Sequence, residues 1–408
     1  MITLFLFIVI RSSTCSYEII NNKLVEKILR VFRDLTEERF YKENEVKPKS
    51  FKDLIKEVHE KGICGECGGC VSFCSAAEIG AIDISASGLP YYSNEDNCLH
   101  CGICYLICPE IHELDKELNE KFNFKPPIGN WSKIATAQAS DPQIQKFATD
   151  GGVVTAILIA LLENNLIDAA IVSKKVGPFQ RTPFFAKNKQ DIINAIGTNY
   201  NIEGPVSELG KYNTFVPTIT ELKKVVGSDK MKLAVVGVPC QIHSIRKMQE
   251  LKIIPAHVVD YTLGLFCFEN FKFNDATRAR IEERFNFSFN DIEKMNIKEN
   301  LIINFKNRDK PLIIEFSELQ DVMRNACRVC KNFTNYYADI SFGGIASKQG
   351  LTTTLIRTKT GEKIYNLALN KGYIKEPSEL NTSLEKSKMI AQIISFSKSK
   401  SRRAEEYR

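Results

Sequence analysis

Between residues 64 and 108 lie eight of the chain's thirteen cysteines, in two copies of one spacing. Cys64, Cys67, Cys70 and Cys74 form a C-x2-C-x2-C-x3-C run; Cys98, Cys101, Cys104 and Cys108 repeat it, the second copy followed by Pro109. This is the ligand spacing of bacterial two-cluster ferredoxins, in which three close thiolates hold one 4Fe–4S cubane and the fourth cysteine crosses to the other. On that rule Cys64, Cys67, Cys70 and Cys108 hold one cluster, and Cys98, Cys101, Cys104 and Cys74 hold the second. Structural zinc and a disulfide framework are the rivals. Zinc sites usually pair a short C-x2-C with a distant second pair, which a doubled triplet fits poorly.

Four more cysteines fall in the second half of the chain. Cys240 follows Val235-Val236-Gly237-Val238-Pro239, a strand that breaks into a glycine–proline turn, with Gln241 opening a helix. Cys267 ends a second strand, and Cys327 and Cys330 form a C-x2-C pair. Two singles at strand ends plus one short pair supply four thiolates, enough for a third iron–sulfur cluster or a zinc site. A nucleophilic Cys240, activated at a helix N-terminus with His243 nearby, is the other reading. Cys15 is left over. Asp150-Gly151-Gly152 opens the apolar helix beginning Val153-Val154-Thr155. Free N–H groups at such a start, with glycines that admit a close ligand, can cradle a phosphate; a plain capped helix is the bland alternative. Lys174 and Lys175 follow a strand and could meet an anion.

The elements that must position these groups read as follows. Apolar positions at helical spacing cover residues 17–40, residues 41–50 read as a linker, and a short helix over 51–59 ends at His59, read as a solvated helix-end residue. A polar helix leads to about Lys121, and Pro126-Pro127 marks a hinge. Beyond it the pattern alternates. Strands are expected at Ala169–Ser173, Leu233–Val238, Val258–Leu265, Leu301–Phe305, Leu312–Phe316 and Ala338–Phe342. Helices are expected at Val153–Glu163, Asp191–Ile196, Gln241–Leu251, Asn274–Phe285, Ser317–Ala326 and Glu362–Asn370. The alternation predicts an α/β multidomain chain: a small ferredoxin-like domain, then a mixed-sheet α/β domain. Divided by residue, this gives a helical extension over 1–50, a two-cluster unit over 51–125, and two further regions over 126–226 and 227–408. The tail from Ser395 to Arg408 reads as a solvated, frayed charge run.

Bulk properties narrow the function. In 408 residues, 44% hydrophobic and 25% charged, a sizeable core can be buried, and a net charge of +6 does not argue for nucleic acid. Clustered cysteines in a chain this long speak for a reducing interior, hence the cytoplasm. The apolar run over residues 2–10 is too short to span a bilayer and reads as a buried strand or an over-extended start; peripheral membrane association stays open. Neither G-x-G-x-x-G nor a Walker A sequence is present.

Five stretches together carry a resemblance: ATDGGVVTAILIALLE (148–163), AIGTNY (195–200), KLAVVGVPCQIHSIRKM (232–248), TLGLFCFENF (262–271) and CRVCKNFTNYYADISFGG (327–344). They resemble the beta-subunit family of coenzyme F420-reducing hydrogenases and related dehydrogenases, over roughly residues 60 to 345. The resemblance implies FAD held in the second half, an iron–sulfur cluster beside it on Cys240, Cys267, Cys327 and Cys330, and coenzyme F420, a deazaflavin, as hydride partner. Flavin contacts are then expected at Asp150, Gly151, Gly152, Val153, Thr155, Lys174, Asn199, Tyr200, Gly237, Pro239 and Gln241. It further implies ferredoxin or a redox partner subunit as the one-electron partner; plant hydroxymethyl-chlorophyll reductases share the superfamily and offer an organic substrate instead, and a non-catalytic relay subunit is a third reading. The first cysteine run ends Cys74-Ser75 where Cys-Pro is expected, and two further positions depart from the family's pattern. Asp150 stands where serine is common, and Asn199 where lysine is common, adding a carboxylate and removing a cation near the expected phosphate.

Overall fold

The computed structural model describes residues 48–407 apart from 178–179, 198–214, 216, 226–229 and 298. The expected helix over 17–40, the apolar run over 2–10, Cys15, Asn199 and Tyr200 lie outside these residues. The chain opens with α1 (Phe51–Leu54), continued by a single wide turn over Ile55–His59, where the half-buried His59 ring meets Phe51 edge-on at 5.5 Å. Then come α2 (Gly69–Ala76), a hairpin of β1 (Ile82–Ile84) and β2 (Pro90–Tyr92), α3 (Ile103–Leu106) and α4 (Asp115–Lys121).

The body is built on β3 (Lys133–Ala139), α5 (Pro142–Phe147), α6 (Val153–Glu163), β4 (Ala169–Gly177), β5 (Gln180–Ala186), α7 (Lys189–Asn194), β6 (Leu233–Gly237), α8 (Pro239–Glu250) and β7 (Val259–Leu265). A small unit follows: α9 (Asp275–Phe285), β8 (Ile292–Ile297), β9 (Leu301–Phe305) and β10 (Arg308–Ile314), the strands forming an antiparallel sheet over a phenylalanine-rich core of their own. α10 (Asn325–Val329), β11 (Ile340–Gly343), β12 (Thr352–Ile356), α11 (Lys359–Asn370), β13 (Ile374–Lys375) and α12 (Ser383–Tyr407) complete the chain. The large sheet has eight strands in the order β13-β3-β12-β11-β7-β6-β4-β5. Strands β4, β6, β7 and β11 run parallel, while β5, β12 and β13 oppose their neighbours. The expected mixed-sheet α/β fold is what the chain adopts.

Both faces of the sheet are covered, which is why β6 reads as an unbroken apolar run with every residue buried. On one face α6 and α11 pack with Ile157, Leu161, Ile364 and Tyr365. On the other, Ile242, Ile245 and Met248 of α8 share a core with Phe73, Ile103, Ile107 and Leu118 from the cysteine-rich segment. The two cysteine runs are therefore seated on the sheet through α8.

Three expectations are corrected. The stretch Ser317–Ala326 is not one helix but a tight turn over Phe316–Leu319 and the short α10, because Arg324 turns extended between them. The first strand runs on through Lys174 and Lys175, since β5 pairs with it antiparallel. The tail is not frayed: α12 is a 25-residue helix whose Met389 and Ile393 join a core with Ile134 and Leu355, and whose Ser397 hydroxyl donates to the Pro127 carbonyl at 2.7 Å. Its buried apolar residues stand at 389, 393 and 404, too sparse among serines and lysines to signal a buried face.

Gly151 shows why the glycine pair is needed. A Cβ there would stand 2.7 Å from the Ala137 carbonyl and 2.8 Å from the Thr352 amide, both backbone atoms of the sheet. Gly152 instead adopts φ 74°, the left-handed conformation that starts α6. Gly151→Ala is expected to lower stability by about 1–3 kcal/mol through overpacking, measured by urea unfolding.

Candidate functional site: three thiol quartets and a cavity

The two ferredoxin-type loops are copies in conformation as well as sequence. Glu66 and His100, each two residues after the first cysteine, have φ of 48° and 49°. Gly68 and Gly102, each following the second cysteine, have φ of 88° and 76° and start α2 and α3. Each loop thus carries its first two cysteines to a helix start, and the third, Cys70 or Cys104, lies in the first turn of that helix. Burial pushes the Cys64 thiol up to about 12. It also raises Cys70 and Cys108, which are raised further by the charges of Cys64 and Cys67. Cys101 and Cys104 are raised by burial and then by Cys98 and Cys74. These mutual effects fall mainly within Cys64, Cys67, Cys70 and Cys108 and within Cys74, Cys98, Cys101 and Cys104, the sets expected from the spacing.

The third quartet converges from three places. Cys240 sits in the first turn of α8, Cys267 follows β7, and Cys327 and Cys330 lie in and just after α10. Burial raises the Cys240 thiol well above its ordinary value, with Cys67, Cys267 and Cys330 adding to the effect. Cys240 is thus a poor thiolate nucleophile. The suspected base is elsewhere: His243 Nε2 is 2.8 Å from Asp115 Oδ1. Among the described residues, no three ligand side chains are drawn together as a single bare ion would require; in a cubane each cysteine reaches its own iron.

Cations that the sequence did not single out surround these thiols. Lys400 of α12, 1% exposed, donates to the carbonyls of Cys267 at 2.6 Å and Asn332 at 3.0 Å. Arg403 donates to the carbonyls of Phe268 and Cys327 and pairs with Glu269. Arg324, three residues before Cys327, lies over the Phe215 ring at 3.8 Å and donates to the Gly65 carbonyl at 2.9 Å and to Glu66 at 3.0 Å. Lys247 reaches the Cys108 carbonyl at 2.9 Å, with Asp115 3.2 Å away. Buried positive charge facing thiol-bearing loops is the complement of a metal–thiolate centre, whose net charge is negative. The donor sets therefore fit iron–sulfur clusters, and loading them must displace the thiol protons.

A cavity of about 360 Å³ opens at the carboxyl ends of β4, β6, β7 and β11, where open α/β sheets bind ligands. Asp150, Gly152, Val153 and Thr155 line it from the start of α6; Gly237 and Gln241 line it from the start of α8. Gly151 and Pro239 are close by but packed into the fold, and Lys174 is directed away, its ammonium over Phe184 at 5.1 Å. Among the described residues the cation in the wall is Arg181, from the β5 strand that sequence reasoning missed. Leu265, Phe266, Phe333 and Phe342 supply an apolar surface, and Glu269 presents a buried oxygen, Oε1, without a hydrogen-bond partner. Volume, apolar walls and a few convergent polar groups suit a flavin-sized ligand. Cys267 is part of the same wall. At the other side of the quartet, a Cβ at Gly65 would stand 3.6 Å from that of Cys240.

Comparison with known proteins agrees with this architecture. Two family models of the coenzyme F420 hydrogenase/dehydrogenase beta subunit match the chain, the N-terminal model over residues 134–210 and the C-terminal model over residues 230–380. The coenzyme F420 hydrogenase subunit beta of Methanosarcina barkeri is 30% identical over 252 residues, 60% of this chain and 82% of that protein. A coenzyme F420-dependent sulfite reductase of Methanocaldococcus jannaschii is 27% identical over 334 residues, 76% of this chain and 47% of the longer protein. A chain of the solved F420-reducing NiFe hydrogenase complex from Methanosarcina barkeri superposes with a TM-score of 0.59 at 28% identity, covering 70% of this chain and 93% of that one. Among the described residues no helix is long and apolar enough to cross a membrane. The chain belongs to the coenzyme F420 hydrogenase/dehydrogenase beta-subunit family.

Proposed function

We propose that this protein is a cytoplasmic iron–sulfur flavoprotein, an F420-linked oxidoreductase subunit that exchanges hydride with coenzyme F420 and single electrons with ferredoxin or a partner redox subunit. The observation that carries this reading is Cys267, a member of the third quartet and of the cavity wall at once. Bound FAD would supply the conversion between two-electron and one-electron chemistry, with the clusters taking one electron each.

The chain's own residues give the layout. Residues 51–125 form the two-cluster unit, and the region from 126 onward holds the flavin and the third quartet. Gly152 and Val153 line the cavity at the start of α6, where a helix N-terminus favours phosphate, and Arg181 adds a positive charge to the same wall. Phe266 and Phe342 exclude water from the ring-binding surface, and Glu269 Oε1 accepts from a ring or sugar donor. Cys240 adjoins the turn of the first ferredoxin run, where a Cβ at Gly65 would stand 3.6 Å from that of Cys240. On this reading electrons pass between the cavity and the two ferredoxin quartets through the third quartet.

Anaerobic purification with iron and flavin counted per chain tests the reading. About twelve irons and one flavin are expected from three four-iron clusters, with bleaching of the flavin by reduced coenzyme F420. Eight irons would remove the third cluster, and absent flavin would remove the catalytic reading. Flavin that ignores the deazaflavin would mark a reductase of an organic substrate instead. Asp150 gives a finer check, because its carboxylate sits at the start of α6 and repels a phosphate there. Asp150→Asn is expected to tighten FAD binding about two- to fivefold, corresponding to the roughly 0.3–1 kcal/mol that a charge at a helix end contributes, as read by flavin fluorescence titration.

A further inference from the structure

The C-terminal helix carries charge to a place where nothing yet described requires it. α12 begins beyond the last residue matched by the family models, yet it buries Lys400 and sets the half-buried Arg403 against the third quartet. Arg403 is offset by Glu269, and Arg324 is shared with Glu66. Lys247, beside the first ferredoxin quartet, is offset by Asp115. Lys400 differs. Its three N–H donors meet two carbonyls, and among the described residues the nearby Glu269 carboxylate is hydrogen-bonded by Arg403 and not by Lys400. An ammonium so deeply buried and so incompletely met is costly unless an anion lies beside it. At the second ferredoxin quartet the contact corresponding to these cations is a neutral one, the Tyr92 hydroxyl 3.7 Å from the Cys98 sulfur.

Reducing a four-thiolate cubane adds one negative charge to a centre that is already anionic. A fixed positive charge in a low-dielectric surrounding favours that reduced form, and hydrogen bonds and charge around a cluster set its potential. We propose that Lys400 is a positioning residue that makes the cluster on Cys240, Cys267, Cys327 and Cys330 the most easily reduced of the three, so that electrons rest beside the flavin cavity. This rests on the assignment of a cluster to that quartet. Lys400 acts through its charge beside the quartet, not through contact with the reacting coenzyme.

The test is a potentiometric titration of the anaerobically purified full chain, followed by electron paramagnetic resonance, on wild type, Lys400→Met, Lys400→Arg and Lys398→Met. Lys398 is exposed on the same helix and serves as control. At the potential where the third cluster of wild type is half reduced, Lys400→Met is expected to lower its reduced-to-oxidised ratio at least tenfold, about 59 mV for a one-electron couple. Lys400→Arg and Lys398→Met are expected to keep the wild-type ratio, and the other two clusters to stay unmoved. An unchanged ratio in Lys400→Met at full iron content overturns the proposal. Loss of four irons from that variant also overturns it, because the lysine would then be a strut and not a tuner. A wild-type chain with eight irons would instead defeat the cluster assignment, before any variant is compared.

Discussion

Replacing Cys240 with alanine is expected to leave about eight of twelve irons, an intact flavin that coenzyme F420 still reduces, and almost no onward electron transfer. The rate of one-electron dye reduction should fall by more than the roughly 10–100-fold typical of losing an outer partner of a metal ligand. Cys240 is the junction residue. It starts α8 between the cavity and the Gly65–Cys67 turn, so its loss cuts the line between flavin and ferredoxin clusters without touching the cavity wall. Cys267→Ala should remove the same four irons but also disturb flavin binding, since Cys267 lines the cavity. Stopped-flow traces of flavin reduction separate the two. If Cys240→Ala passes electrons at the wild-type rate, the third quartet is not on the route.

Arg324→Met is expected to loosen the ferredoxin-like segment from the sheet. The guanidinium is 5% exposed, stacked on Phe215, and holds both the Gly65 carbonyl and the Glu66 carboxylate, itself 19% exposed. Removing one partner of a buried ion pair costs about 3–5 kcal/mol because the other charge is left unpaired. The lower end applies here, since Lys272 stays 3.8 Å from the other Glu66 oxygen. Anaerobic urea unfolding should show a midpoint lowered by roughly 0.5–1 M. The double variant Arg324→Met with Glu66→Gln should recover part of the loss, as expected for coupled residues. A double variant no more stable than the single one would mean the arginine acts through packing alone.

The cysteine spacing alone points to crossed ferredoxin quartets, because ligand geometry for a cubane is set locally by a handful of residues. The alternating strands and helices of the body were legible from their periodicity for the same local reason. Residues whose role depends on distant packing were not. Lys174 reads as available because the apolar strand pattern stops before it, but the partner strand β5, broken by Pro183, gives no strand signal, so Arg181 was missed. Gly151 reads as facing a ligand, whereas its neighbours are the backbones of β3 and β12. Arg324, Lys400 and Arg403 lie in stretches whose composition reads as surface, and only the tertiary fold shows what they face. Buried cations of this kind leave no periodic trace.

The position of Lys400 also sets an order of events in the life of the chain. The two ferredoxin quartets are complete once Cys108 has been synthesised, whereas the third has its cysteines by Cys330 but its cationic wall only at Lys400 and Arg403. Roughly 300 residues separate Cys108 from Lys400, about 15–60 s of translation at ordinary rates. Domains fold as they emerge, N-terminal first. On the proposed reading the centre beside the cavity is therefore the last to be enclosed, and a chain stopped short of α12 would lack the cationic wall of that quartet.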